Sequence, residues 1–202
     1  MIAATLATHD AVGAPPTWVL SNHDTIRHVT RYGREETAFD MGDKRHGAFS
    51  DLELGVRRAR AAALLTLALP GGVYVYQGDE LGLNEVADIP EELLQDPTWE
   101  RSNHTDRGRD GCRVPLPWSG DQPPFGFSPP EAGAGPWLPQ PAAWKGLTAE
   151  AQSGDPRSML SLYRAALALR RDLLSGLPQS LTWLDAGPDV VAFARGTGSP
   201  AW

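Results

Sequence analysis

His23 and Asp24 close the run Pro16-Thr17-Trp18-Val19-Leu20-Ser21-Asn22-His23-Asp24, in which a short apolar strand delivers three polar side chains able to grip a substrate. A carboxylate and an imidazole at the C-terminal end of a strand point to the active-site rim of an α/β fold. By spacing alone, such a pair is more often a strand-end cap or turn. Two later stretches add polar groups next to apolar runs: Leu69-Pro70-Gly71-Gly72-Val73-Tyr74-Val75-Tyr76-Gln77-Gly78-Asp79-Glu80-Leu81-Gly82-Leu83 and Gly108-Arg109-Asp110-Gly111-Cys112-Arg113-Val114-Pro115-Leu116-Pro117-Trp118. Arg113 by itself reads as one half of an ion pair with Asp110 or Asp106 that pins its loop. Arg109 reads as a loop pin. Trp99, Trp118, Trp137 and Trp144 are of the type that stacks on sugar faces or packs loops. His28, His46 and His104 have no partners at metal-ligand spacing, so no metal site and no cofactor is expected. Cys112 has no visible base and reads as a small buried apolar residue.

The elements that must position these groups follow from punctuation and period. Residues 2–9 read as the tail of a helix broken by Pro15 and Pro16, and Trp18 to Leu20 as a buried strand too apolar to alternate. Arg27 to Ser50 reads as a long polar loop with a helical turn. Asp51 through Leu69 is the clearest helix, with Leu54, Ala61, Leu65 and Ala68 on one face and Pro70-Gly71-Gly72 as its stop. Val73 to Tyr76 is a second buried strand, and strand, loop, helix, tight turn, strand is the pattern of a parallel sheet. Residues 84–152 hold no lasting period and read as an ordered, irregular excursion of the functional kind. A second helix is expected from Asp155 as N-cap and Pro156 as first residue through Leu174, stopped by Gly176 and Pro178. Leu181 to Leu184 and Val190 to Ala194 read as antiparallel strands.

Composition sets limits. A chain of 202 residues is short of the roughly 250 that a complete eight-stranded α/β barrel needs. The formal charge of -7, with its 18 Lys and Arg residues spread along the chain, argues against a nucleic-acid partner. The longest apolar run, Ala61 to Leu69, is about half a membrane span, so no membrane partner is expected. Met1 is followed by neither a basic region nor an adequate apolar stretch, so no signal peptide is expected either. The single cysteine excludes an internal disulfide and suits a reducing cytoplasm.

Taken in order, the three quoted segments resemble the α-glucosidase branch of the α-amylase superfamily, glycoside hydrolase family 13. The resemblance implies an α/β fold: strands seven and eight of a (β/α)8 barrel with their helices over residues 1–175, including the 84–152 insertion. Residues 176–202 would then begin an all-β antiparallel C-terminal domain. It implies that Asp24 is the third, transition-state-stabilising carboxylate of the site and that His23 is its sugar-binding neighbour. Arg113 would approach the sugar from the loop after strand eight, while Gln77 and Glu80 would be chiefly structural. Asp79 stands where many relatives have Glu. A retaining glycosidase also needs a nucleophilic Asp and an acid/base Glu. In the family these lie on strands four and five, and nothing here resembles the nucleophile motif. The expectation is therefore a fragment of an α-glucosidase acting on maltose or isomaltose, silent by itself, whose partners are a small α-glucoside and the missing N-terminal part of the barrel. The alternatives are a glucosyl transferase or isomerase of the same family, of the trehalose synthase type, or a non-catalytic carbohydrate-binding protein.

Overall fold

A computed structural model describes residues 1–38, 47–129 and 131–196. Along the chain run α1 (Ile2–Asp10), β1 (Thr17–Val19), α2 (His28–Tyr32), α3 (Leu52–Ala68), β2 (Gly72–Tyr74), α4 (Thr98–Arg101), α5 (Asp110–Arg113), α6 (Ala149–Ser153), α7 (Met159–Leu169), β3 (Leu181–Leu184) and β4 (Ala192–Arg195). Strands β1 and β2 pair in parallel, Trp18 opposite Val73, with α2 and α3 forming the crossover, which is the expected strand–helix–strand unit. Each strand starts one residue earlier than the sequence indicates.

The strands are not buried, contrary to expectation. Val19 is 47% and Tyr74 64% exposed, because each strand has one strand neighbour and their apolar faces lack a covering layer among the described residues. Helix α3 forms where expected, and the Asp51 side chain caps it by accepting from the Leu54 N–H. Its buried face differs from the expected one: Gly55, Ala59, Ala63 and Leu67 face inward, while Leu54, Ala61, Leu65 and Ala68 are half-buried or exposed. The cause is α2, whose Val29 carbonyl oxygen lies 2.1 Å from where a Cβ on Gly55 would be. Only a stripe of small residues admits so close a neighbour. With Val29, Met159, Tyr163 and Ala166 this stripe forms one apolar core.

The larger core is built mostly from the segment that showed no period. Leu81, Leu83, Val86, Ile89, Val114, Phe125, Leu138 and Trp144 pack together with Leu160, and 84–152 gains short helical pieces at α4, α5, α6, 91–93 and 142–147. Each fully buried side chain of this size contributes about 1.5–3 kcal/mol. Helix α7 begins later than Asp155 suggests. Ser158 is the N-cap, accepting from Ser161 N–H, and Asp155 instead closes a turn by accepting from Arg157 N–H. A π-helical turn over Arg170–Leu174 carries α7 on to Ser175 and Gly176.

The C-terminal end of α3 has no glycine cap; its carbonyls are met by side chains from far along the chain. Arg170 donates to Leu67 O, Leu69 O and Gly71 O, and Arg195 to Ala68 O and Pro178 O. Strands β3 and β4 pair antiparallel, Trp183 meeting Phe193 edge to face at 5.9 Å. Strand β4 starts at Ala192 rather than Val190, since Gly187 and Asp189 take positive φ and extend the turn. Among the described residues no helix is long and apolar enough to cross a membrane, and no three His, Cys, Asp or Glu side chains are grouped to hold a metal. His46 lies outside the described residues.

Candidate active site

The end of β1 is fixed from behind. Ser21 is buried; its Oγ accepts from His28 N–H at 3.0 Å and lies 2.8 Å from His28 Nδ1. His28 Nδ1 is in turn 3.4 Å from Asp79 Oδ1, just past β2. From Ser21 the chain turns. Asn22 Oδ1 accepts from Asp24 N–H at 2.8 Å and Thr25 Oγ1 accepts from Asn22 N–H at 3.2 Å, an Asx turn that aims the Asp24 side chain outward.

Asp24 meets two guanidinium groups. Its Oδ1 accepts from Arg109 Nη1 at 2.9 Å and from Arg113 Nη2 at 3.1 Å, while Oδ2 lies 3.4 Å from His23 Nε2. Arg113 Nε also donates to the His23 carbonyl at 2.9 Å. The structure thus brings together all three residues singled out by sequence, His23, Asp24 and Arg113, from segments 89 residues apart. The Arg109 hydrogen bond, with His23 and Arg113 beside it, holds the Asp24 carboxyl below its ordinary range.

Behind the arginines stands Asp96, its side chain fully buried. Asp96 Oδ2 accepts from Arg109 Nε at 2.6 Å and Arg109 N–H at 3.0 Å; Oδ1 accepts from Arg109 Nη2, Thr98 N–H and Thr98 Oγ1. Arg113 Nη1 is 3.7 Å from Asp96 Oδ2. Burial pushes this carboxyl up, but the bonds from Arg109 and Thr98 outweigh it and hold Asp96 well below the usual range. Arg109 is correspondingly more basic through its bonds to Asp96 and Asp24. Arg109 therefore both pins its loop and touches Asp24. Asp110, a candidate partner of Arg113 by sequence, accepts instead from the N–H groups of Gln95 and Asp96. Gly108 takes φ +74°, and a Cβ there would sit 2.7 Å from Asp96 Cβ, so only glycine lets the loop close on that carboxylate.

A buried cation braces the floor. Arg27 is fully buried; Nη1 donates to Gln77 O and Nη2 to Cys112 O, both at 2.9 Å, and its guanidinium lies 5.1 Å from the Tyr76 ring centroid. Tyr76 Oη donates to the same Cys112 carbonyl, and Arg27 N–H donates to Glu85 Oε2 at 2.9 Å. Arg27 thereby joins the ends of both strands to the helix that carries Arg113. Burial pushes the Glu85 carboxyl up to about 7 and the Cys112 thiol to about 12. Glu80 accepts from Gly78 N–H beside this floor. Trp144 is a core residue bonded to Asn84 Oδ1, and Trp99 is stacked on His104 at 4.9 Å; Trp118 and Trp137 remain exposed. Sequence reasoning missed Arg27, Glu85 and Asp96. Of these only Asp96 left a signal, the Asp-Pro step that favours a turn.

The chain is similar to several known proteins. The family model described as the catalytic domain of alpha amylase matches residues 4–176. A probable α-glucosidase of Rhizobium meliloti is 34% identical over 182 residues, covering 90% of this chain and 29% of that protein. An oligo-1,6-glucosidase of Saccharomyces cerevisiae is 31% identical over 173 residues, covering 75% of this chain and 26% of its own length. The solved structure of the α-glucosyl transfer enzyme XgtA superposes with a TM-score of 0.73 at 32% identity, covering 98% of this chain and 33% of that one. The chain thus spans about a third or less of each of these proteins.

Proposed function

This chain belongs to the α-amylase catalytic-domain family, and we propose that it is the C-terminal portion of an α-glucosidase barrel, cleaving terminal bonds of short α-glucosides with retention. In this reading β1 and β2 are barrel strands seven and eight, residues 1–175 finish the barrel, and residues 176–202 open a β-domain. The observation that carries it is the Asp24 carboxylate at the end of β1, with Oδ1 held by two arginines and Oδ2 beside His23 at an open surface.

Glycoside hydrolysis passes through an oxocarbenium-like transition state, and hydrogen bonds to the sugar 2-hydroxyl that strengthen there lower the barrier. Asp24, kept ionised by Arg109, supplies such an acceptor and a negative charge for the developing cation. His23 and Arg113 supply donors for neighbouring hydroxyls. Retention further requires a nucleophile and an acid/base carboxyl about 5–5.5 Å apart. Asp96 is committed to Arg109 and buried, so it suits neither role. Both groups are assigned to preceding barrel strands, and the setting to a reducing cytoplasm, in keeping with the single buried thiol.

The test is product analysis on maltose and isomaltose, with the 202-residue chain and with the polypeptide obtained by extending its reading frame upstream. The short chain is expected to release no glucose and the extended one to release α-glucose first. Glucose from the short chain would refute the division of labour; an extended protein inert on both sugars would refute the glucosidase reading. The likeness to an α-glucosyl transfer enzyme favours a second reading in which a sugar replaces water as acceptor. Transfer products in place of glucose would select it.

A further inference from the structure

We propose that Asp96 is the positioning residue of this site: it holds Arg109 and Arg113 on one oxygen of Asp24 and so leaves the other oxygen free for the sugar. The inference rests on the proposed role of Asp24, and it concerns a residue on a different loop, far along the chain.

The geometry is that of a bracket. Two carboxylates, Asp24 at the rim and Asp96 in the interior, share Arg109, which gives Nη1 to the first and Nε and Nη2 to the second. The inner half is a fork-on-carboxylate pair, the arrangement that fixes a guanidinium in plane as well as in place. Arg109 can then offer Asp24 only Nη1. Arg113, 3.7 Å from Asp96 and bonded to the His23 carbonyl, likewise turns a single nitrogen to the same Oδ1. Released from Asp96, either guanidinium would lose its register on Oδ1 and turn toward solvent, and the acceptor beside His23 would lose the alignment it offers the substrate. Asp96 is itself immobile. It takes three hydrogen bonds from Arg109 and two from Thr98, its backbone N–H is held by Asp110, and Gly108 packs against its Cβ. The charges facing Asp24 are therefore His23, Arg109 and Arg113, with Asp96 one guanidinium further in.

The sign of one shift tests this in Asp96→Asn, a substitution of equal size. A carboxylate with aligned arginines titrates about 1–3 pH units low. If Asp96 positions the arginines, its loss disorders them and the Asp24 midpoint, followed by carboxyl carbon NMR in the intact chain, rises. If Asp96 merely adds a nearby negative charge, removing it lowers the midpoint. A rise in a folded variant supports the proposal; a fall or no change overturns it. Should Asp96→Asn fail to fold, the unsubstituted chain decides. Separate, slowly exchanging guanidinium nitrogen signals for Arg109 are expected, and one averaged signal overturns the bracket. Both readouts are independent of turnover, so an extended protein that fails to cleave glucosides defeats the function and not the bracket. A glucosidase whose Asp24 midpoint ignores Asp96 defeats the bracket alone.

Discussion

Replacing Gly55 by alanine places a methyl carbon 2.1 Å from the Val29 carbonyl oxygen and 3.2 Å from Gly33 N, all backbone atoms of or next to α2. An ordinary carbon–oxygen contact is about 3.3 Å, so α2 and α3 must separate by about 1 Å. Alanine gains about 1 kcal/mol over glycine inside a helix, whereas overpacking of this kind costs about 1–3 kcal/mol. Helix α2 is poorly free to yield, since His28 is bonded to Ser21 and Arg27 to Gln77 and Cys112. The cost thus falls at the upper end, and the net loss is about 2 kcal/mol, or about 4–8 °C in Tm for a chain of this size. Urea and thermal unfolding measure it. Gly154→Ala is the control, because nothing lies within 4 Å of the place its added methyl would take and its φ of -95° suits any residue; it is expected to stay within about 0.5 kcal/mol. A Gly55→Ala protein as stable as the parent, with the control neutral, would refute the account of why α3 turns its small residues inward.

Glu85 gives a pH signature. Its carboxyl is raised from 4.5 to about 7 by burial, so between those values the folded chain keeps a proton that the unfolded chain has released. Stability falls as pH rises through that window, by on the order of 3 kcal/mol, and levels off above it. In Glu85→Gln this component of the slope should vanish; urea midpoints across the same window that track the parent would defeat the assignment. Asp51→Ala removes the α3 cap and leaves the Leu54 N–H without its partner, an expected loss of about 1 kcal/mol by thermal melting. A change within a few tenths would show that the cap is dispensable.

What the sequence makes legible is what local punctuation controls. Pro16 and Gly71-Gly72 bracket β1 and β2, Asp51 starts α3, and Gly176 follows the end of the helical run. The buried face of α3 is illegible because its two candidate stripes both contain alanines. The docked backbone of α2 chooses between them, and that contact is tertiary. The start of α7 slips because Asp155-Pro156 and Ser158 are both credible caps, and the turn that Asp155 makes with Arg157 has no separate signal. The convergence of His23, Asp24 and Arg113 follows from motif resemblance. The roles of Arg27 and Asp96 do not, since their partners are backbone carbonyls and guanidinium groups from other loops, and no period or spacing encodes such pairs.

The arginines that close the C-terminal end of α3 bear on where this chain can be shortened. A cut at Gly176, where the helices end and the hairpin begins, would keep Arg170 but discard Arg195, leaving the Ala68 carbonyl to solvent. The β3–β4 hairpin is tied to α3 by donated hydrogen bonds more than by apolar contact, much of its surface being wet. The trimming site that respects this tie lies beyond Arg195, and a crystallisation or expression variant ending at the apparent boundary would fray the C-terminal end of α3.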